Sequence, residues 1–239
     1  MTDYEQQAWQ EARRFERSMY KKSSILQRTS KKVQTQINNK IPDRIHAIVT
    51  ESIKTMINLS LTTSEYIRPV EVEEDWTLEE REKRIRERLK QYKHTAMVEG
   101  AGTGAGGIIL GLADFPLLLS IKMKFLFDVG QLYGWNVKKR EERIFLLRVF
   151  LLAFSSDTKR REMIPSIRNW EEESDRWKEI DWKTLQQEYR DTIDFVKMLQ
   201  LVPGFGAVVG AWANGKFLEQ LGETAINAYR LRMLEGDRE

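Results

Sequence analysis

Residues 77–121 read TLEEREKRIRERLKQYKHTAMVEGAGTGAGGIILGLADFPLLLSI. Two segments of opposite character meet here. Thr77-Leu-Glu-Glu80 is a capping box, in which the threonine hydroxyl and the glutamate carboxylate each satisfy an orphan backbone N–H, so a helix starts there. Charges alternate along it to about Val98, over a thin apolar stripe of Ile85, Leu89, Tyr92 and Ala96. Gly102-Thr-Gly104-Ala-Gly-Gly107 then matches GxGxxG. In a dinucleotide-binding fold those glycines follow a strand, so that pyrophosphate meets the next helix's N-terminus. A charged helix precedes them here, so nucleotide binding fails on context and the stretch reads as helix followed by helix.

Outward from it the chain stays helical. Tyr4, Ala8, Ala12, Phe15 and Met19 recur every three or four residues, with Arg13, Arg14 and Arg17 opposite and Trp9 on the flank. Ile45, Ile48, Val49, Ile53, Met56 and Ile57 form a second stripe behind Pro42, and residues 23–38 read as a polar helix between them. Further helices are expected at about 101–113, 116–133, 138–154, 159–169, 182–201, 205–220 and 222–235, with Asp181 as an N-cap. No stretch alternates with period two between turn residues. The fold class is all-α, a multi-helix domain with two glycine-rich helices packed against each other at the core. By organisation, residues 1–66 are N-terminal amphipathic helices, 67–77 an acidic linker, and 78–239 the glycine-rich core domain, the whole forming one compact unit.

The 239 residues are 41% hydrophobic and 31% charged, with no cysteine and two histidines, His46 and His94. That is enough chain for a sizeable core. It excludes a disulfide framework, a thiolate metal site, a cysteine nucleophile and a His-rich metal site. The start, MTDYEQQAWQ, has no basic stretch followed by an apolar one, so no secretory signal is expected and a cytoplasmic location is. The net charge of +3 is uneven: residues 1–40 and 135–169 each carry nine basic and four acidic side chains, and residues 170–200 carry five basic and nine acidic.

Three apolar stretches raise the question of a membrane. Gly100–Ile121 is long enough to span, but its first third is only weakly apolar, Asp114 costs roughly 3 kcal/mol at a bilayer centre, and Pro116 breaks the helical ladder. Met198–Ala213 and Ile144–Phe154 are too short. Buried core helices are the first reading, with shallow membrane insertion as the alternative.

Gly107-Ile-Ile-Leu-Gly111-Leu-Ala-Asp114 is echoed by Gly206-Ala-Val-Val-Gly210-Ala-Trp-Ala-Asn214. Small residues four apart share a helix face and let backbones approach closely, so the two helices are expected to pack together. Gly104, Gly107, Gly111, Asp114, Gly206, Gly210 and Asn214 are therefore the candidate pocket, with Asn214, Lys122 or Arg148 as a partner for a buried Asp114. The run Gly210–Lys216 also fits a P-loop as far as its lysine, but Phe217 stands where a magnesium-binding hydroxyl is needed, and no strand precedes it. HExxH, GxSxG and SxxK are absent, so catalysis falls to carboxylates alone, Asp114 with Glu99 or His94. Neither a metal nor a cofactor is expected.

Trp9, Arg13, Arg14 and Arg17, with Lys138, Lys139 and Arg140, are the candidate membrane-surface residues, because basic rims beside apolar helices suit anionic headgroups better than nucleic acid, for which no reading motif exists.

Residues 99–134, EGAGTGAGGIILGLADFPLLLSIKMKFLFDVGQLYG, resemble the core of the EcsC family, and so do residues 202–234, VPGFGAVVGAWANGKFLEQLGETAINAYRLRML. The stretch from DYEQQAW to IPDRIHAIVTESIK is similar to the family's bacterial members. The family's namesake genes lie beside those of an ABC transporter. The resemblance thus implies a cytoplasmic, membrane-linked accessory role and supplies no catalytic residues. Residues and resemblance together lead to a non-enzymatic accessory protein, peripheral at the inner membrane face, with a membrane surface or a membrane complex such as an ABC transporter as partner. The alternatives are a helical lipid- or small-molecule-binding domain and, behind it, a carboxylate-based hydrolase.

Overall fold

The computed structural model describes residues 1–21, 43–63, 66–104, 115–178 and 207–234. Among them are eight helices and no β-strand: α1 (Asp3–Tyr20), α2 (Asp43–Thr62), α3 (Leu78–Gly104), α4 (Phe115–Leu132), α5 (Arg140–Phe154), α6 (Asp157–Arg168), α7 (Trp170–Lys178) and α8 (Ala207–Leu234). The protein is all-α, as the periodicity predicts.

Local chemistry sets most of the boundaries. Thr77 and Glu80 close the expected capping box on α3, with Thr77 N donating to Glu80 Oε2 at 2.8 Å and Glu80 N to Thr77 Oγ1 at 3.3 Å. Thr2 and Glu5 make a second box on α1. Gly134, at φ +91°, takes the left-handed conformation that follows the end of α4. Ser156 caps α6.

α5 is buried on every side from Glu142 to Phe154, which is what a helix apolar all round requires. Ile144–Phe154 is thus a core helix. α3 and α8 run antiparallel through close contacts: Glu82 meets Arg230, Leu89 faces Gly222, and Met97 faces Gly215. α4 returns antiparallel to α3, with Arg81 Nη1 donating to the Leu132 carbonyl at 3.1 Å and Tyr92 reaching Asp128. α1 lies across these helices, touching α3 through Tyr4, α8 through Glu11 and α6 through Glu16. Arg143, on α5, donates to the carbonyls of Leu61 and Thr63 at 3.1 and 2.9 Å, so a cation closes the C-terminus of α2.

Two boundaries differ from expectation. Residues 205–220 and 222–235 are not two helices: α8 runs unbroken through Gly222. That glycine serves close packing instead of a cap, since a Cβ there lies 2.8 Å from Leu89 Cδ2. The helix expected at 78–98 also continues to Gly104. Residues 67–77 keep Glu71, Glu73, Glu74 and Asp75 in solvent, while Val70, Val72 and Trp76 pack on the core. The acidic stretch is a strap across the bundle. The expected helices at 23–38 and 182–201, and most of the one at 101–113, fall outside the described residues.

Candidate functional site at the glycine-rich end of the bundle

The antiparallel packing gives the molecule two ends. At one lie the starts of α3 and α5 and the finishes of α4 and α8. There Arg230 grips Glu82 with two bonds of 2.7 and 2.5 Å and Glu11 with a third of 2.6 Å. Arg232, two residues on, faces the other way. It holds Glu142 at 2.5 and 2.8 Å and Glu171 at 2.6 Å, and its guanidinium lies 3.5 Å from the Trp135 ring centre. Glu82 also accepts from the hydroxyls of Tyr4 and Tyr133. Burial, with Glu82 adding to it, pushes the Tyr4 hydroxyl up to about 12 and Tyr133 well above its ordinary range. The buried charges Glu82, Glu142, Arg230 and Arg232 are thus each matched.

The other end holds the finishes of α3 and α5 and the starts of α4 and α8, where the glycine-rich sequences enter and leave. Its contacts are apolar or single. Phe154 meets Phe217 edge-on at 6.0 Å, and Gln220 Nε2 donates to the Ala153 carbonyl at 2.6 Å. Lys93 and Lys216 share Glu219. Met97 and Val98 on α3 and Leu117 on α4 are 41%, 58% and 46% exposed, and Ile48, in the first half of α2, is 39% exposed. Met1 and Tyr20 are the other exposed large apolar side chains among the described residues.

Beneath this end sits Lys122, fully buried on α4. Its amine donates to the Leu118 carbonyl at 3.4 Å, and no carboxylate among the described residues pairs with it. Burial lowers its pKa from 10.5 to about 7. Of the groups expected to partner Asp114, Arg148 donates to Ser166 Oγ at 2.6 Å. Asp114 itself lies outside the described residues, as do Gly107, Gly111 and Gly206. Gly104 is the last residue of α3, and Gly210 and Asn214 stand in the first turns of α8. The close glycine contacts between α8 and α3 belong to Gly215 and Gly222, seven residues apart on one α8 face, while Gly130 on α4 lies against Val137 and Tyr229.

The expected membrane-surface residues separate. Trp9 is a correction: it is buried in the core, with Arg13 5.4 Å from its ring centre, because Ala8 and Ala12 draw that side of α1 inward. Arg13 pairs with Glu16 at 2.5 Å. Arg14 and Arg17 are exposed on α1, and Lys138, Lys139 and Arg140 are exposed between α4 and α5, at the ion-paired end. His94 is exposed on α3. Among the described residues no group of His, Asp or Glu is placed to hold a metal ion.

Motif reading finds Asp114 and passes over Asp128, the acidic residue of α4. Asp128 is 4% exposed and accepts from the Tyr92 hydroxyl at Oδ2, 3.0 Å, while its Oδ1 is buried without a donor. Burial raises its pKa and also that of Tyr92, whose hydroxyl faces the carboxylate. The available signal was a lone acid in an otherwise apolar helix that carries two lysines and no other charge.

Comparison with known proteins agrees with the sequence motifs. The chain is 49% identical to Protein EcsC of Bacillus subtilis (strain 168) over 235 residues, covering 98% of each chain. It is 30% identical over 150 residues to the Uncharacterized protein YdbA of the same organism, covering 61% of this chain and 55% of that protein. No solved structure matches. The model of the EcsC protein family matches residues 6–234, nearly the whole of a chain whose described part is one helical bundle, and the protein belongs to that family.

Proposed function

We propose that this protein is a non-enzymatic accessory protein that docks on the inner face of the membrane by the glycine-rich end of its bundle. The observation that carries the reading is the exposure of Met97, Val98 and Leu117, large apolar side chains left in solvent at the glycine-rich end of a bundle whose other end is tied by buried ion pairs. No described helix is long and apolar enough to cross a membrane, and the attachment we propose is shallow. Each of these half-exposed side chains gains roughly 1 kcal/mol on burial, and three of them give weak, reversible binding. Lys90 and Lys124 lie on the surrounding helix turns and suit anionic headgroups. In the docked state a membrane complex, an ABC transporter among the possible ones, is the partner we propose.

Flotation with phosphatidylglycerol and phosphatidylcholine vesicles tests this. The wild type should rise with the anionic vesicles and keep part of that binding at high salt. Val98→Ser with Leu117→Ser should cut the bound fraction several-fold, and Lys138→Glu with Lys139→Glu should cut it less. A wild type that stays with the soluble fraction in every case ends the proposal. A larger loss from the lysine pair than from the apolar pair moves the contact to the other end. Copurification of a transporter from solubilised membranes, lost with the serine pair, tests the partner.

A further inference from the structure

A cleft of about 420 Å³ opens between α3, α4 and the strap at Arg68–Val70. Arg88, Tyr92 and Thr95 line it from one stripe of α3, and Leu117, Ile121, Lys124 and Asp128 from one stripe of α4. We infer that this cleft binds a phosphate ester that also carries a hydroxyl or amine donor, the phosphate lying among Arg68, Arg88 and Lys124 and the donor meeting the Asp128 carboxylate.

Two independent features point there. The first is the orphaned oxygen. Asp128 is almost wholly buried, Tyr92 satisfies Oδ2, and Oδ1 has no donor. A buried carboxylate oxygen is costly to leave unmatched, so the site is complete only when something donates to it. The second is the surplus of cations. Arg68 and Arg88 act on the Asp128 charge from nearby without either closing an ion pair with it, and one Arg88 nitrogen is engaged by Gln91 at 3.2 Å. Lys124 lines the same cleft, and among the described residues Asp128 is its one acidic wall; Glu71 and Glu87 belong to the adjoining outer hollow. Guanidinium groups favour phosphate oxygens. The carboxylate repels a bare dianion and rewards an ester whose alcohol part can donate. A glycerol phosphate meets both demands.

The cleft also has a direction. Asp128 and Leu117 are eleven residues apart on α4, about 16 Å along the axis. A chain attached to the ester would leave past Ile121 and over Leu117, toward the exposed apolar end. The same chemistry therefore comes from two sources, a phosphatidylglycerol headgroup or a free glycerol phosphate. The inference stands without the docking proposal, which is read by vesicle flotation.

Calorimetric titration of the full-length protein tests it with three probes: sn-glycerol 3-phosphate, methyl phosphate, and dihexanoyl phosphatidylglycerol below its micelle concentration. Glycerol phosphate should saturate one site, with methyl phosphate at least tenfold weaker. Arg68→Gln with Arg88→Gln, both on accessible side chains, should weaken binding tenfold or more. Asp128→Asn, checked for native helicity, should erase the preference for the glycerol ester over the methyl ester. Tighter binding of the short-chain lipid, weakened by the same arginine pair, assigns the site to a lipid. Binding of the free ester alone assigns it to a soluble metabolite. No saturable binding of glycerol phosphate or lipid, or binding indifferent to the arginine pair, overturns the inference.

Discussion

The two ends of the bundle use α8 in opposite ways. Near its C-terminus Arg230 and Arg232, two residues apart and so turned to opposite sides, tie α8 to α1 and α3 on one flank and to α5 and α7 on the other. Near its N-terminus the same helix meets its neighbours through Gly215, Phe217 and Gln220, with no buried ion pair among the described residues. Buried charges must be matched in detail, so the first end admits one arrangement of four helices. Apolar contacts and glycines are less directional, so the second end is held mainly by shape, with one hydrogen bond and a surface pair added. The end with exposed apolar side chains is thus also the end whose packing leaves most freedom for a partner.

Breaking the ion-paired end should cause the largest loss of stability. Arg230→Met leaves Glu82 charged and fully buried with two tyrosine hydroxyls and the half-exposed Arg86, 3.9 Å away, and should lower stability by about 3 kcal/mol. Urea denaturation reads this as a fall in midpoint at constant slope. Adding Glu82→Gln should recover at least half the loss, since the unmatched charge is then gone. The equivalent cut at the glycine end, Lys93→Ala, removes an exposed pair with Glu219 and should change stability by about 0.5 kcal/mol or less. Equal losses from the two single variants would abolish the distinction.

Among the described residues Lys122 is the one fully buried cation of the glycine-rich end, and its removal should raise stability instead. Its folded pKa of about 7 lies below the unfolded value of 10.5, so between those values the unfolded chain binds the extra proton. Stability from this group therefore rises with pH across that window and is lowest below pH 7. Lys122→Met removes the penalty. Its gain in stability over wild type should be greatest near pH 6 and should shrink by about 4 kcal/mol by pH 10.5, at 1.36 kcal/mol per pH unit. Denaturation of both proteins at pH 6, 8 and 10 checks this. A pH-independent difference would show that the amine stays charged and matched in the fold.

Periodicity and caps made much of this fold legible. The capping box at Thr77, the apolar run of α5 and the stripe of α1 follow from local rules, and the structure carries them. Trp9 was not legible, because residues on the margin of a stripe turn inward or outward according to what lies across from them. Asp128 and Tyr92 were hidden for a related reason: they are 36 residues apart, and only the antiparallel return of α4 joins them. The arginine layer is longer in range still, with 148 residues between Glu82 and Arg230. Charge counting treats such residues as surface until a fold brings them together. The expected division into 205–220 and 222–235 fell just before Gly222, where the structure needs only the absence of a side chain.

Gly215 and Gly222 allow the finest comparison of the two ends, on one face of one helix. Alanine in place of a helical glycine gains about 0.5–1 kcal/mol from reduced unfolded-state freedom. At Gly215 the new methyl meets Met97, whose sulfur is 3.3 Å away on a flexible, 41% exposed side chain that can swing into solvent. Gly215→Ala should therefore keep most of that gain. At Gly222 the methyl meets Leu89 at 2.8 and 3.0 Å, and Leu89 is buried in the core with nowhere to go. Overpacking there should cancel the gain and leave Gly222→Ala at or below wild-type stability, by about 1 kcal/mol. Paired melting curves of the two variants decide the point. Equal stabilisation at both positions would mean that Leu89 yields as easily as Met97, and that tight packing of α3 on α8 is no firmer toward the ion-paired end than at the end left open.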